Sequence, residues 1–416
     1  MKLEKYSFGI GDRFGKQGKS QLSAVIRAKE QGIHVVPVWN KSFREHEIIG
    51  TRPDQVREEA DQAVQTLGWK GSYHVDADHV ALKTVSSFLK GSDFYTLDVA
   101  DFIGKSAEKN DMDAFMDKAK QYAGEIILPI LDQEISVSEA DIYEIAEKYL
   151  YAVKEAGRLY RHILERKGAD SFITEVSMDE TDLPQTPVEL YFILFMISLE
   201  KIPAQTIAPK FSGRFNKGVD YVGDTGQFHE EFEQDVSVID LARKTFSLPD
   251  NIKLSVHSGS DKFSIYAAIR DTLKKFNAGV HVKTAGTTWL EELIGLAEAD
   301  GEGLEIAIDI YCQSYEQKEA LCKPYATVID IQDNMLPDPK EVKSWGSEEY
   351  TSALRHNPEN KRYNPHFRQL LHVGYKVAAK MGERYLNALD KYEDIVSKNV
   401  IENILERHIK SIFPTE

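Results

Sequence analysis

Short runs rich in β-forming residues alternate along this chain with stretches in which apolar positions recur every three to four residues. The first run opens Ser7-Phe-Gly-Ile-Gly-Asp-Arg-Phe-Gly15, a strand entering a glycine-rich loop, and an amphipathic helix follows over 20–31. A second strand at 34–40 precedes a helix ending near Leu67, and Tyr73-His-Val-Asp-Ala-Asp-His79 forms a third. A helix over 82–89 leads to a fourth strand at 94–100. Further strands are predicted at 171–177, 204–210, 253–257 and 279–284, each followed by a helical pattern. Eight strands alternating with helices predict the α/β class, as a (β/α)8 TIM-type barrel over residues 1–300.

The alternation breaks in two places. Residues 105–168 are almost wholly helical in pattern, too long for a βα loop, and predict a helical insertion after strand four. Residues 300–416 predict a helical C-terminal extension with one short strand at 326–330. Between strands six and seven a glycine-rich loop runs as far as His229.

Composition narrows the class of partner. With 42% hydrophobic and 28% charged residues the chain has material for a large core. A net charge of -16 opposes nucleic acid and anionic membranes, so the partner expected is a small molecule. The two cysteines, Cys312 and Cys322, exclude a disulfide framework and suit the cytoplasm. The longest apolar stretch, residues 190–199, falls well short of the ~20 residues a membrane span needs. A homo-oligomer is compatible with all of this.

The candidate chemistry sits where strands end. Asp78 and His79 close strand three, Glu175 lies on strand five, His257 closes strand seven, and His281 and Lys283 lie on strand eight. A barrel gathers such residues at one mouth. Imidazoles brought together there suit Zn, Co, Ni or Mn, and His229, the only histidine between strands five and seven, is the natural third ligand beside His79 and His257. Asp220 and Asp224 are its substitutes. Ser258-Gly-Ser260, directly before a helix, offers N–H groups to an anion, with Asp261, Lys262 and the strand-six Lys210 as further substrate contacts. Plainer readings stand beside these: Asp78 as a helix cap, His281 as a core residue, Arg13 and Lys16 as solvated loop charges instead of anion holders.

Four segments carry a resemblance: Glu175-Val-Ser-Met-Asp-Glu-Thr181, Gly213-Arg-Phe-Asn-Lys-Gly-Val-Asp-Tyr221, His257-Ser-Gly-Ser-Asp-Lys-Phe-Ser-Ile-Tyr266 and His281-Val-Lys-Thr-Ala-Gly-Thr287. Together they are similar to the tagaturonate/fructuronate epimerase family of hexuronate catabolism. More distantly, Asp78-His79, Glu175 and Val256-His-Ser-Gly-Ser260 resemble the metal-dependent class II aldolases. That resemblance implies Asp78 as proton acceptor, Glu175 as donor, and His79 and His257 as ligands of a divalent metal. It departs after strand six, where Phe211-Ser-Gly-Arg-Phe215 lacks the aldolase histidine. The implied activity is epimerisation of keto-hexuronates through retro-aldol cleavage and re-addition. Epimerisation of neutral ketohexoses, net aldol cleavage, and sugar sensing without turnover are the alternatives.

Overall fold

The computed structural model describes residues 1–128, 130–179, 181, 183–284 and 286–415. Its first part contains β1 (Tyr6–Ile10), α1 (Gly18–Glu30), β2 (Val36–Ser42), α2 (Phe43–Ile49), α3 (Asp54–Leu67), β3 (His74–Val80) and β4 (Phe94–Asp98). Then come α4 (Lys109–Ala119), β5 (Gly124–Leu128), β6 (Gln133–Val137), α5 (Glu139–Lys167), β7 (Ile173–Ser177) and α6 (Pro187–Leu199). The barrel finishes with β8 (Ala204–Ala208), α7 (Thr225–Thr245), β9 (Lys253–His257), α8 (Phe263–Phe276), β10 (Val280–Lys283) and α9 (Thr287–Glu298).

Eight of the strands close into a parallel barrel in the order β1-β10-β9-β8-β7-β4-β3-β2, the fold that the alternation predicts. Strands β1, β7 and β8 are buried at every residue, so polar side chains on them such as Ser7, Glu175 and Thr206 are enclosed as well. Register places Lys283 beside both Gly9 and His257, and Ser42 beside Asp78. The strand ends named by the sequence therefore meet at one mouth.

Three local expectations change. The segment 105–168 contains an antiparallel hairpin, β5 with β6, between two helices. Its strands are only five residues long and partly exposed, so a helical reading of their surroundings swallowed them. The helix over 82–89 shrinks to a single 3-10 turn at Val85–Ser87, and no capping hydrogen bond comes from Asp78. No strand forms at 326–330; the segment turns, and the Lys217 N–H donates to the Val328 carbonyl. Its β-branched residues lack a neighbouring strand to pair with.

The C-terminal extension is helical, as predicted, and its apolar residues join the same core as the barrel. Helix Glu393–Glu402 packs so closely on α9 that a Cβ on Gly295 would lie 2.6 Å from the Val396 Cα, so glycine is what permits the approach. Among the described residues, no helix is long and apolar enough to cross a membrane.

Candidate active site

Strict alternation along β3 would point Asp76 and Asp78 into the barrel and His79 away from it. The β3–β4 pairing slips between Ala77 and Val80, and His79 adopts a left-handed backbone with φ 52. This bulge turns His79 toward the same mouth. A left-handed histidine costs on the order of 1 kcal/mol, a strain of the kind that concentrates at functional sites. Its ring comes to 5.1 Å from the His257 ring, at 68°.

The loop after β7 supplies a third group between them. Asp179 Oδ1 lies 3.6 Å from His79 Nε2, and Asp179 Oδ2 lies 3.1 Å from His257 Nδ1. Both nitrogens are buried and neither makes a hydrogen bond of good geometry. One ligand atom from each of His79, Asp179 and His257 falls within 4.8 Å of the others, a spacing a metal ion can bridge. Each imidazole also has its far nitrogen on another carboxylate: His79 Nδ1 is 2.9 Å from Asp78 Oδ1, and His257 Nε2 is 2.8 Å from Glu175 Oε1. That is the outer arrangement that fixes the orientation and basicity of metal-binding histidines. The donor set, two imidazoles and one carboxylate with room for further ligands, fits Zn, Co, Ni or Mn.

Beneath this trio lies a layer of charge. Lys283 Nζ reaches Asp76 at 2.7 Å, Glu175 at 2.9 Å and Asp78 at 3.0 Å, and Thr96 Oγ1 at 2.5 Å. Glu175 accepts a further bond from Thr206 at 2.7 Å and has no exposed surface. Burial works against the Lys283 ammonium, but Asp76, Glu175 and Asp78 outweigh it and hold its pKa well above the usual value. Burial likewise pushes Asp78 and Glu175 upward, and Lys283 with the neighbouring imidazoles holds both well below the ordinary carboxylate range. Asp76 goes the other way: burial, helped by Asp78 and Glu175, lifts it to about 7 despite Lys283. Burial depresses His257, yet Asp179 and Glu175 carry it up to about 9, and His79 is raised for the same reason by Asp78 and Asp179. Three carboxyl groups thus lie within 3.0 Å of one ammonium.

A sequence model described as tagaturonate epimerase matches residues 1–412. The chain belongs to that family. A tagaturonate/fructuronate epimerase from Thermotoga maritima is 28% identical over 418 residues, covering 97% of this chain and 80% of the relative. The native crystal structure of a fructuronate-tagaturonate epimerase from Cohnella laeviribosi superposes with a TM-score of 0.80 at 23% identity, over 99% of this chain and 82% of that one. A glycerol complex of the same enzyme gives 0.78 at 23% identity, over 98% and 82%. These two structures establish a shared fold.

Within this epimerase family member, several expected contacts are placed elsewhere. His229 stands on the second turn of α7, beside Glu233 at 3.6 Å with its side chain 40% exposed, and is not part of the trio. The helix begins earlier than the glycine pattern suggests because Asp224 caps it, accepting from the Gly226 and Gln227 N–H groups. Asp220 accepts instead from Ser264 at the start of α8. Asp179 takes the position for which His229, Asp220 and Asp224 were candidates. It sits in the Glu175–Thr181 segment, but a carboxylate just past a strand is a weaker signal than a histidine. Glu180 and Ala285 of those motifs lie outside the described residues.

The segment after His257 is occupied by protein partners. The Ser258 and Gly259 N–H groups donate to the Val256 and Lys283 carbonyls, and Ser258 Oγ donates to the latter as well. Ser260 Oγ accepts from the Gly218 N–H. Asp261 is fully buried against Arg368 at 2.8 Å, His356 at 3.0 Å and His408 at 3.1 Å. Lys262, which burial pushes down to about 7, donates to the Asn216 and Val219 carbonyls. This motif bolts the loop after β8 and the C-terminal extension onto the turn that carries His257. His281 lies two residues before Lys283, fully buried, with Nδ1 2.9 Å from Ser7 Oγ, and burial pushes it down to about 3. It is the core residue of the plainer reading. Lys210 is half-buried past the end of β8, its N–H donating to Gln185.

Proposed function

We propose that this epimerase interconverts D-tagaturonate and D-fructuronate by breaking and remaking a carbon–carbon bond, with a divalent cation held by His79, Asp179 and His257. The convergence of two imidazole nitrogens on one carboxylate, each imidazole backed by another carboxylate, carries this reading. A cation bound there supplies a Lewis acid for the substrate carbonyl.

The epimerised carbinol is β to the ketone, so its C–H is not acidified by enolisation. Removing the proton of its hydroxyl lets the bond to the α carbon break, giving an aldehyde and an enediolate. The aldehyde then presents its other face, the bond re-forms, and the proton returns. Asp78, ionised and partly exposed at the mouth, is the acceptor. Glu175, closed off beneath His257, orients that imidazole through its 2.8 Å contact in place of the donor role the resemblance implies. Lys283 keeps both carboxylates charged, and Asp76, near 7, holds or releases a proton close to neutrality.

The test pairs product analysis with an isotopic label. Each hexuronate is incubated with the protein before and after chelation, using substrate deuterated at the epimerised carbon. The expected result is conversion to the other hexuronate with deuterium retained, turnover falling to background on chelation and returning with metal. Washout of the label, or full turnover in metal-free protein, contradicts the proposal.

A further inference from the structure

The loop after β1 delivers Arg13, which the metal and proton chemistry leaves unused. It is 8% exposed, pairs with Glu45, and holds its guanidinium carbon 4.0 Å from the Tyr375 ring centre. Its Nε is buried without a hydrogen-bond partner. The Tyr375 hydroxyl meets the Tyr325 hydroxyl at 3.1 Å, and three more cations surround the Tyr325 ring: Arg44 at 4.4 Å, Lys376 at 5.0 Å and Lys217 at 5.4 Å. They come from α2, the C-terminal extension and the loop after β8, so they meet over the barrel mouth. Burial and then the nearby Arg44 and Arg13 charges push the Lys376 ammonium down, the mark of like charges held together. Arg44 is exposed, Lys217 and Lys376 are half-buried and Arg13 is buried, so positive charge leads inward from solvent. In a chain of net charge -16 such a path is a local exception, and it draws anions.

A second orphaned atom marks its inner end. His372 Nε2 is buried with no partner, packed so tightly that a Cβ on Gly286 would lie 2.2 Å from it. Burial, then Arg13 and Lys217, hold this imidazole neutral. The Gly286 N–H donates to the Gly259 carbonyl, two residues beyond His257. A backbone hydrogen bond thus ties the residue packed against His372 to the turn that follows His257.

We infer that Arg13, Arg44, Lys217 and Lys376 form the subsite for the carboxylate of an anionic sugar whose carbonyl end faces His79, Asp179 and His257. This rests on the proposed function, and it locates what separates a uronate from a neutral ketose. Arg13, with one Nη on Glu45, has its Nε left to donate a charge-assisted hydrogen bond, and the outer three steer the anion in. A neutral sugar brings no carboxylate to this cluster, so discrimination comes from the lost charge-assisted contact.

Lys217→Met/Lys376→Met and Arg13→Met are compared with Lys376→Arg, using the full chain. The expected result is a roughly 10- to 100-fold fall in the kcat/KM preference for D-tagaturonate over D-tagatose in both Met variants, through KM, with Lys376→Arg retaining it. Calorimetric binding of D-tagaturonate, with and without chelator, is independent of turnover. Weaker uronate binding in the Met variants of a protein that performs no epimerisation supports the subsite and contradicts the reaction. Unchanged uronate affinity, or equal losses for both sugars, overturns the subsite.

Discussion

Lys283→Met is expected to destabilise the protein by about 3–5 kcal/mol and to cut turnover roughly 10- to 100-fold. The ammonium has almost no exposed surface and lies within 3.0 Å of Asp76, Asp78 and Glu175, so its removal leaves buried negative charge without compensation. The sign of the pH dependence follows. In the native protein Asp78 and Glu175 have depressed pKa values, so their stabilisation is full above the unfolded carboxylate range and is lost progressively as the pH falls from there through the depressed native values. Without Lys283 those values rise, and protonation relieves the repulsion. The stability deficit of the variant should therefore shrink as the solution is acidified, read by denaturant unfolding at pH 5 and pH 8. A deficit independent of pH would mean that packing, and not charge, is what Lys283 contributes. Lys283→Arg, which keeps the charge, should recover part of the stability.

Asp179→Ala is expected to abolish stoichiometric metal binding and to cost more activity than the roughly 10- to 100-fold typical of outer partners of a metal site. Asp179 is the acidic group that lies between His79 Nε2 and His257 Nδ1. His229→Ala, at a half-buried position of α7 outside the trio, should retain both metal and activity. Metal content by mass spectrometry beside turnover separates these outcomes. Retained metal in Asp179→Ala, or metal lost in His229→Ala, would restore the ligand set that the histidine count suggested.

That contrast shows what the chain makes legible and what it hides. The barrel follows from eight β-rich runs that alternate with helical periodicity, the order a closed parallel sheet requires. Asp78, His79, Glu175 and His257 are legible because chemistry at the end of a strand has only one place to go in a closed barrel. The bulge that turns His79 inward leaves no such trace, since it depends on the register of β3 against β4. Asp179 is hidden for another reason: its position is set by a loop, and acidic loop residues are common. The Ser258–Lys262 segment is informative as a family signature, yet its side chains serve the packing of the C-terminal extension. Specificity of pattern there reflects a crowded junction. The hairpin of β5 and β6 escapes because five-residue strands pairing only with each other carry too little periodicity to stand out between helices.

The most direct test of the shared cation is an anomalous-scattering map from crystals of the full chain grown with Mn or Zn, collected on either side of the metal edge. The expected result is one strong peak within bonding distance of His79 Nε2, His257 Nδ1 and an Asp179 oxygen. A map with no peak among those three atoms, from protein that is turning over substrate, would contradict it.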